Sequence, residues 1–418
     1  MALAQAAQAA QFTPRVTVTL GFSDNVRMEH VPRGDSYLTV GPGVNYKVTD
    51  HANLFELDAQ SNFSYYYRLT QFSGWEGGHL IAHWLRKPTQ TFQYDLRLEA
   101  RSTYEYLDND QTGQLVRLRG SNQRRDSLLF SAGFDHRIAK NSRWYATYRV
   151  ANIEYDGDRP GSTNHDVTVG TSLRVAPLWR FDAEAITYRD IYEEAPNDDR
   201  YRLDLTLARL VRDRGEYYVG AGYEIDRSHS NDPDVRNTED YNLVRARVGA
   251  KWRVSPTFRY TAEVGWAKVS GDEANPNTND GSFTYSMGLF WTQKRWRLAL
   301  TANKDFTNYS ALGQNSQPVE ATRFSLIYNR QLARHWQITI TGDYLTDDYN
   351  DNQTGATTGQ SSDSQTVRVG ARVDWKYTDD LSFALDYRFA EVNSDSDTLE
   401  ERQNQLLLIM EAKWPKRW

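Results

Sequence analysis

The run at 366–375 reads Thr-Val-Arg-Val-Gly-Ala-Arg-Val-Asp-Trp, and its alternation constrains everything else. Val367, Val369, Ala371, Val373 and Trp375 share one parity. Thr366, Arg368, Gly370, Arg372 and Asp374 share the other. Successive side chains of a strand point to opposite faces, so this segment has one apolar face and one charged face. About ten residues is also what a tilted strand needs to cross a bilayer. The longest clean example lies at 91–106, with Phe92, Tyr94, Leu96, Leu98, Ala100, Tyr104 and Tyr106 opposed to Gln93, Asp95, Arg97, Glu99, Arg101 and Glu105. The pattern recurs about twenty times, and no apolar run approaches the roughly twenty residues of a membrane helix.

Such a pattern predicts an all-β fold: a transmembrane antiparallel up-and-down β-barrel of about 20 strands, with 18 as the alternative count. Connection lengths agree. Short turns near 139–142, 176–178, 212–215, 254–256, 293–295, 331–334 and 377–379 alternate with long polar segments such as 107–122, 228–239, 270–280, 307–318 and 347–363. Outer-membrane barrels have short periplasmic turns and longer external loops. An even strand count then puts both termini on the periplasmic side. The expected organisation is a flexible segment at 1–12, reading as a signal-peptide remnant, followed by one barrel at 13–418 in the outer membrane of a Gram-negative bacterium. The Ala/Gln-rich start lacks the basic n-region and full h-region of an intact signal peptide.

Composition fits a wall with one wet and one greasy face. Hydrophobic residues are only 39%, yet aromatics reach 13%. Nine tryptophans, Trp84, Trp144, Trp179, Trp252, Trp291, Trp296, Trp336, Trp375 and Trp414, sit beside a short turn or near the C-terminus and share the apolar parity of their strands. Amphipathic indoles settle at membrane–water interfaces, so these predict a belt at one rim, against outer-membrane lipid.

The opposite parity supplies lumen-lining candidates: Arg97, Arg101, Arg245, Arg247, Lys251, Arg253, Arg368, Arg372, Asp386 and Arg388. They form either a wall of neutralised ion pairs or arginine columns that guide an anionic solute. The choice depends on strand register, which alternation does not give. The strand carrying Arg245, Arg247, Lys251 and Arg253 has no acid of its own on that parity.

Enzyme chemistry is not expected. The chain has no cysteine, which excludes thiolate metal sites and disulfides. His79 and His83 share a face, but four strand residues span about 13 Å, too far to hold one metal. Asp348-Tyr349-Asn350-Asp351-Asn352 copies part of a calcium loop without its glycine and terminal acid. No cofactor is expected. Net charge is −6, with no basic tract of the kind nucleic acid requires. The eleven or so residues ahead of the first strand are too few for a plug domain, which argues against an energised siderophore-type transporter.

Some early residues add a resemblance. Val16-x-Val18, then Asp24-Asn25-Val26, Asp35-x-Tyr37 and Val40-Gly41-Pro42-Gly43-Val44 resemble the start of a porin-like outer-membrane β-barrel family associated with exopolysaccharide secretion loci. The resemblance implies passage or export of a hydrophilic, anionic polysaccharide, with a periplasmic export partner, and it carries no catalytic residue. Barrels of this kind usually stop on an aromatic; here Pro415 follows Trp414, and the last residues are expected to pair incompletely. Two other classes stay open: a general diffusion porin for small polar solutes, and a scaffold barrel sheathing a periplasmic or electron-carrier partner.

Overall fold

In a computed structural model the chain closes into one barrel of twenty antiparallel strands. The structure describes residues 9–26, 32–104, 124–156, 161–192, 197–212, 214–229, 240–271, 281–308, 318–348, 364–394 and 401–417. The calcium-like run beyond Asp348 lies outside these residues. The first quarter of the wall is β1 (Ala9–Ser23), β2 (Asp35–Thr49), β3 (Asn53–Tyr66), β4 (Gly74–Arg86) and β5 (Phe92–Tyr104). Then come β6 (Arg124–Ala139), β7 (Ser142–Tyr155), β8 (Ser162–Ala176), β9 (Trp179–Tyr192) and β10 (Asn197–Val211). Next are β11 (Gly215–His229), β12 (Tyr241–Arg253), β13 (Phe258–Gly271), β14 (Gly281–Thr292) and β15 (Trp296–Asn308). Last are β16 (Pro318–Ala333), β17 (Trp336–Asp348), β18 (Ser364–Lys376), β19 (Leu381–Ser394), β20 (Glu401–Lys413) and the two-residue β21 (Lys416–Arg417).

Each strand pairs with its sequence neighbour, and β1 pairs with β20 from Arg15↔Lys413 to Ser23↔Gln405. Closure removes the free edges that an open sheet would leave in lipid, where no water meets an unpaired backbone group. The end of this closing ladder at Ser23 and Gln405 is latched by side chains. Asn404 donates from its backbone N–H to Asp24 Oδ1 at 2.7 Å and from Nδ2 to Oδ2 at 2.6 Å. Asn25 Nδ2 donates to the Arg402 carbonyl at 3.1 Å. Asp35 closes the neighbouring connection: its Oδ2 accepts from the N–H groups of Arg68 and Leu69, each at 2.8 Å. Pro42 falls where the β2–β3 ladder skips from Val40↔Phe63 to Gly43↔Gln60, so no bond is lost there.

Two boundaries differ from the sequence reading. β1 begins at Ala9 rather than after 12, because Ala9–Phe12 find partners Thr49 to Tyr46 on β2. β4 begins at Gly74 and runs through Gly77-Gly78, a glycine pair of the kind that ordinarily weakens a strand. The ladder continues through a bulge at Asn62/Phe63. Gly77 has φ +128°, and a Cβ there would lie 2.1 Å from the Ser102 carbonyl, so only glycine lets the strand through. At the other end pairing is interrupted over Trp414 and Pro415 only: Lys416 and Arg417 resume it with Phe12 and Gln11.

Candidate functional site: the inner wall

Contacts that skip a strand identify the inner face. Arg247 Nη2 on β12 donates to Thr206 Oγ1 on β10 at 3.2 Å. Tyr218 on β11 donates its hydroxyl to Glu263 on β13 at 2.8 Å, and Tyr145 on β7 does the same to Glu184 on β9 at 2.5 Å. Arg180 on β9 reaches Glu216 on β11 at 2.7 Å. Side chains converge on the concave side of a closed wall and diverge on the convex side. The polar parity is therefore concave. Leu20, Val244, Val248, Leu406 and Leu408, on the other parity, are exposed on the convex side.

Register supplies the acids that strand β12 lacks. Arg245 bonds Glu224 of β11 at 2.9 Å. Arg247 lies 3.6 Å from Asp204 of β10 and 3.9 Å from Glu263 of β13. Lys251 lies 3.5 Å from Glu216. Arg253, exposed beside the short turn, has no ion pair among the described residues. Further round the wall, on β18 and β19, Arg372 bonds Asp374 at 2.8 Å and lies 3.9 Å from Asp386, which Arg388 also holds at 2.8 Å. Arg368 stands across from Asp343, and Asp343 accepts from Arg323 at 2.9 Å. Glu99 sits between Arg97, at 2.6 Å, and Arg101. His79 contacts Asp58 at 2.6 Å and His83 contacts Asp95 at 3.2 Å, on separate acids; no metal cluster occurs among the described residues.

Three of these pairs are unequal. Arg388 is 52% exposed and Asp386 7%; Lys251 is 57% exposed and Glu216 11%; Arg97 is 40% exposed and Glu99 12%. The short carboxylates lie down against the wall, while the longer cationic side chains arch over them. Other pairs are level or reversed: Arg372 and Asp374 are 38% and 35% exposed, and Arg245 and Asp305 are 11% and 49%, so the excess of exposed cation is local to these three places.

The nine tryptophans all stand on the convex parity beside short turns or after β20, and many touch. Trp336 stacks on Trp375 with centroids 5.4 Å apart, Trp291 meets Trp296 at 5.0 Å, and Trp252 meets Tyr217 at 5.4 Å. The sequence reading missed a second set at the far ends of the strands: Tyr65, Trp75, Tyr201, Tyr223, Trp266 and Phe283, all exposed. Only two of these six are tryptophans, so a search for tryptophan alone does not outline it.

No family model matches the chain, and no curated protein does. Solved structures do resemble it. The siderophore receptor PirA from Acinetobacter baumannii aligns over 96% of this chain and 80% of its own, at TM-score 0.52 and 9% identity. OccAB3 of Acinetobacter baumannii aligns over 98% and 99%, at TM-score 0.42 and 10% identity. Pseudomonas aeruginosa OccK2 (OpdF), solved in complex with glucuronate, aligns over 97% of each chain at TM-score 0.42 and 12% identity. What is shared is the fold. The chain is a β-barrel of the Gram-negative outer membrane.

Proposed function

We propose that the barrel is a passive channel for small hydrophilic solutes that favours anions. The observation that carries this is the exposure difference within three of the inner-wall pairs, 52% against 7% for Arg388 and Asp386, 57% against 11% for Lys251 and Glu216, and 40% against 12% for Arg97 and Glu99. At these places a solute meets guanidinium and ammonium groups before it meets carboxylates. Exposed ion pairs are worth only about 0–1 kcal/mol each, so contacts of this kind attract an anion without trapping it. We also take the nine-tryptophan ring as the periplasmic lipid interface, and the inner face of 13–418 as a single lumen.

Export of a polysaccharide, and a periplasmic export partner, draw support only from the motif resemblance. Those motif residues have structural work in this fold: Asp24 and Asn25 latch β1 to β20, and Asp35 closes the β3–β4 connection. They say nothing of cargo, so the small-solute reading is preferred.

Planar-bilayer recording tests it. The wild-type barrel should prefer chloride over potassium, and the preference should weaken in high salt, because the screening length shrinks from about 10 Å at 0.1 M to about 3 Å at 1 M. A triple variant, Arg97→Gln, Lys251→Gln and Arg388→Gln, should shift the reversal potential toward zero selectivity while still running as a folded, heat-modifiable band. A cation-preferring wild type, or a folded triple variant with unchanged selectivity, overturns the reading.

A further inference from the structure

The ladder between β14 and β15 stops early. Its pairs run from Thr292↔Arg297 to Tyr285↔Lys304. Beyond that point β14 stays paired with β13 as far as Lys268↔Gly281, and β15 stays paired with β16 as far as Asn308↔Pro318. Among the described residues, 281–284 and 305–308 are therefore paired on one side only and do not pair with each other. Unpaired backbone groups in a membrane wall are costly unless something else meets them. Here side chains meet two of them. Phe306 N–H donates to Asp305 Oδ1 at 2.8 Å, and the Phe306 carbonyl accepts from Arg245 Nη2 at 3.5 Å. Arg245, anchored by Glu224, also lies 3.5 Å from Asp305.

Phe306 itself is on the wrong side. Strict alternation places it on the convex face with Trp296, Leu298, Leu300 and Ala302. Instead it packs against Tyr241, Leu243, Ala267 and Val269, which share the concave parity of Arg245. The end of β15 has rolled inward over the edge of the wall. Those four residues form an apolar cluster on the concave side, with Leu243 and Ala267 at 0% exposure. On the convex side the same seam is flanked by exposed Lys268, by Lys304, which is partly exposed and pairs with Glu320 of β16, and by the exposed rings of Trp266 and Phe283.

We propose that this seam is a lateral port. It takes a single-chain amphiphile with an anionic head and an apolar tail, and lets it move between the outer leaflet and the mouth of the lumen. The head sits at the level of Lys268 and Lys304, among the interfacial aromatic rings. The tail enters between β14 and β15 and takes the place Phe306 fills in the closed state, against Leu243 and Val269. A fatty-acid carboxylate and a lysophospholipid phosphate share this chemistry. The port is separate from solute passage along the lumen.

The cysteine-free chain makes the test direct. Ser282→Cys with Thr307→Cys spans the seam; Ser286→Cys with Asn303→Cys lies in the paired part of the same ladder as a control. A disulfide needs Cα atoms within about 7 Å. Under mild oxidation the control pair should bridge readily and the seam pair many-fold more slowly. In nanodiscs, medium-chain diazirine probes with carboxylate and phosphate heads should label 281–284 and 305–308 several-fold more than a neutral alcohol probe. Their relative strength distinguishes fatty acid from lysophospholipid. Closing the seam pair with a short thiol crosslinker should abolish that labelling, whereas closing the control pair should not, and Phe306→Ala should raise it. Equal bridging rates at the two pairs, or labelling spread round the convex face and indifferent to the crosslink, overturns the port. Lumen conductance, recorded on the crosslinked barrel, stays intact when only the port fails.

Discussion

Gly249 shows how much the inner wall depends on single side chains. A Cβ at this position would lie 2.5 Å from the Tyr218 ring, which crosses the glycine to reach Glu263. Tyr145 lies over Gly170 in the same way on its path to Glu184. Gly249→Val should displace the ring and break its bond, with the roughly 1–3 kcal/mol cost of overpacking, read as a lower midpoint of denaturant unfolding. Adding Tyr218→Ala should recover part of that loss, since the two changes share one contact. Equal losses from the single and double variants would mean the ring does not need the glycine. At the β2–β3 turn, Asp50 is held below the usual carboxylate range, first by Asn53 Nδ2 and then by the N–H groups of Ala52 and Asn53. A folded-state pKa below the unfolded value of about 3.9 gives stability that is present above that value and lost as pH falls through the folded one. Asp50→Ala should therefore lower the unfolding midpoint at neutral pH and lose its effect in strong acid; a pH-independent effect would point to packing instead. Neither tyrosine-over-glycine contact is legible in the sequence, because each joins strands whose register alternation leaves open.

At the scale of the element, period-two alternation was enough to place nearly every strand, since one parity must face lipid and the other water. It was weakest at β4, where Gly77 and Gly78, a pair that ordinarily weakens a strand, carry it through a bulge. It was also silent on charge balance. Strand β12 looks purely cationic, and only its pairing with β11 and β13 brings Glu216, Glu224 and Glu263 alongside. This strand offers a sharp test. Val248 is 52% exposed on the convex face. Val248→Arg should cost about 2–4 kcal/mol at mid-depth and reduce folding into vesicles. Its neighbour Arg247→Gln should be tolerated, because Asp204 keeps Arg202 at 2.5 Å. Folding yields measured by heat-modifiable gel mobility decide it; equal tolerance would mean the two faces are misassigned.

For the whole molecule, loop-length alternation and the tryptophan parity read the barrel and its even strand count from the sequence, because both follow from local composition. The contacts that close the barrel were not legible, since they join residues nearly four hundred positions apart and leave no local signal. Asp24 and Asn25 appeared only as parts of a motif; the structure gives them a task. The β1–β20 ladder ends at Ser23↔Gln405, and beyond it Asp24 and Asn404 exchange side-chain and backbone bonds at 2.6–3.2 Å. The contrast with β14 and β15 is instructive, for there the strands run on without pairing. Hydrogen bonds to a charged acceptor are worth about 1.5–3 kcal/mol. Asp24→Ala should therefore lower the thermal midpoint at which the folded barrel converts to its unfolded gel mobility. Asn404→Ala should remove one of the same bonds, and the double variant should fall short of the sum, because both changes break one latch. Amide exchange at the Ser23 end of β1 should rise with the loss, while β9 and β10, on the far wall, stay protected. If the midpoint does not move, or if exchange rises evenly round the barrel, the latch contributes nothing to closure, and the nine residues of β1 paired with β20 suffice alone.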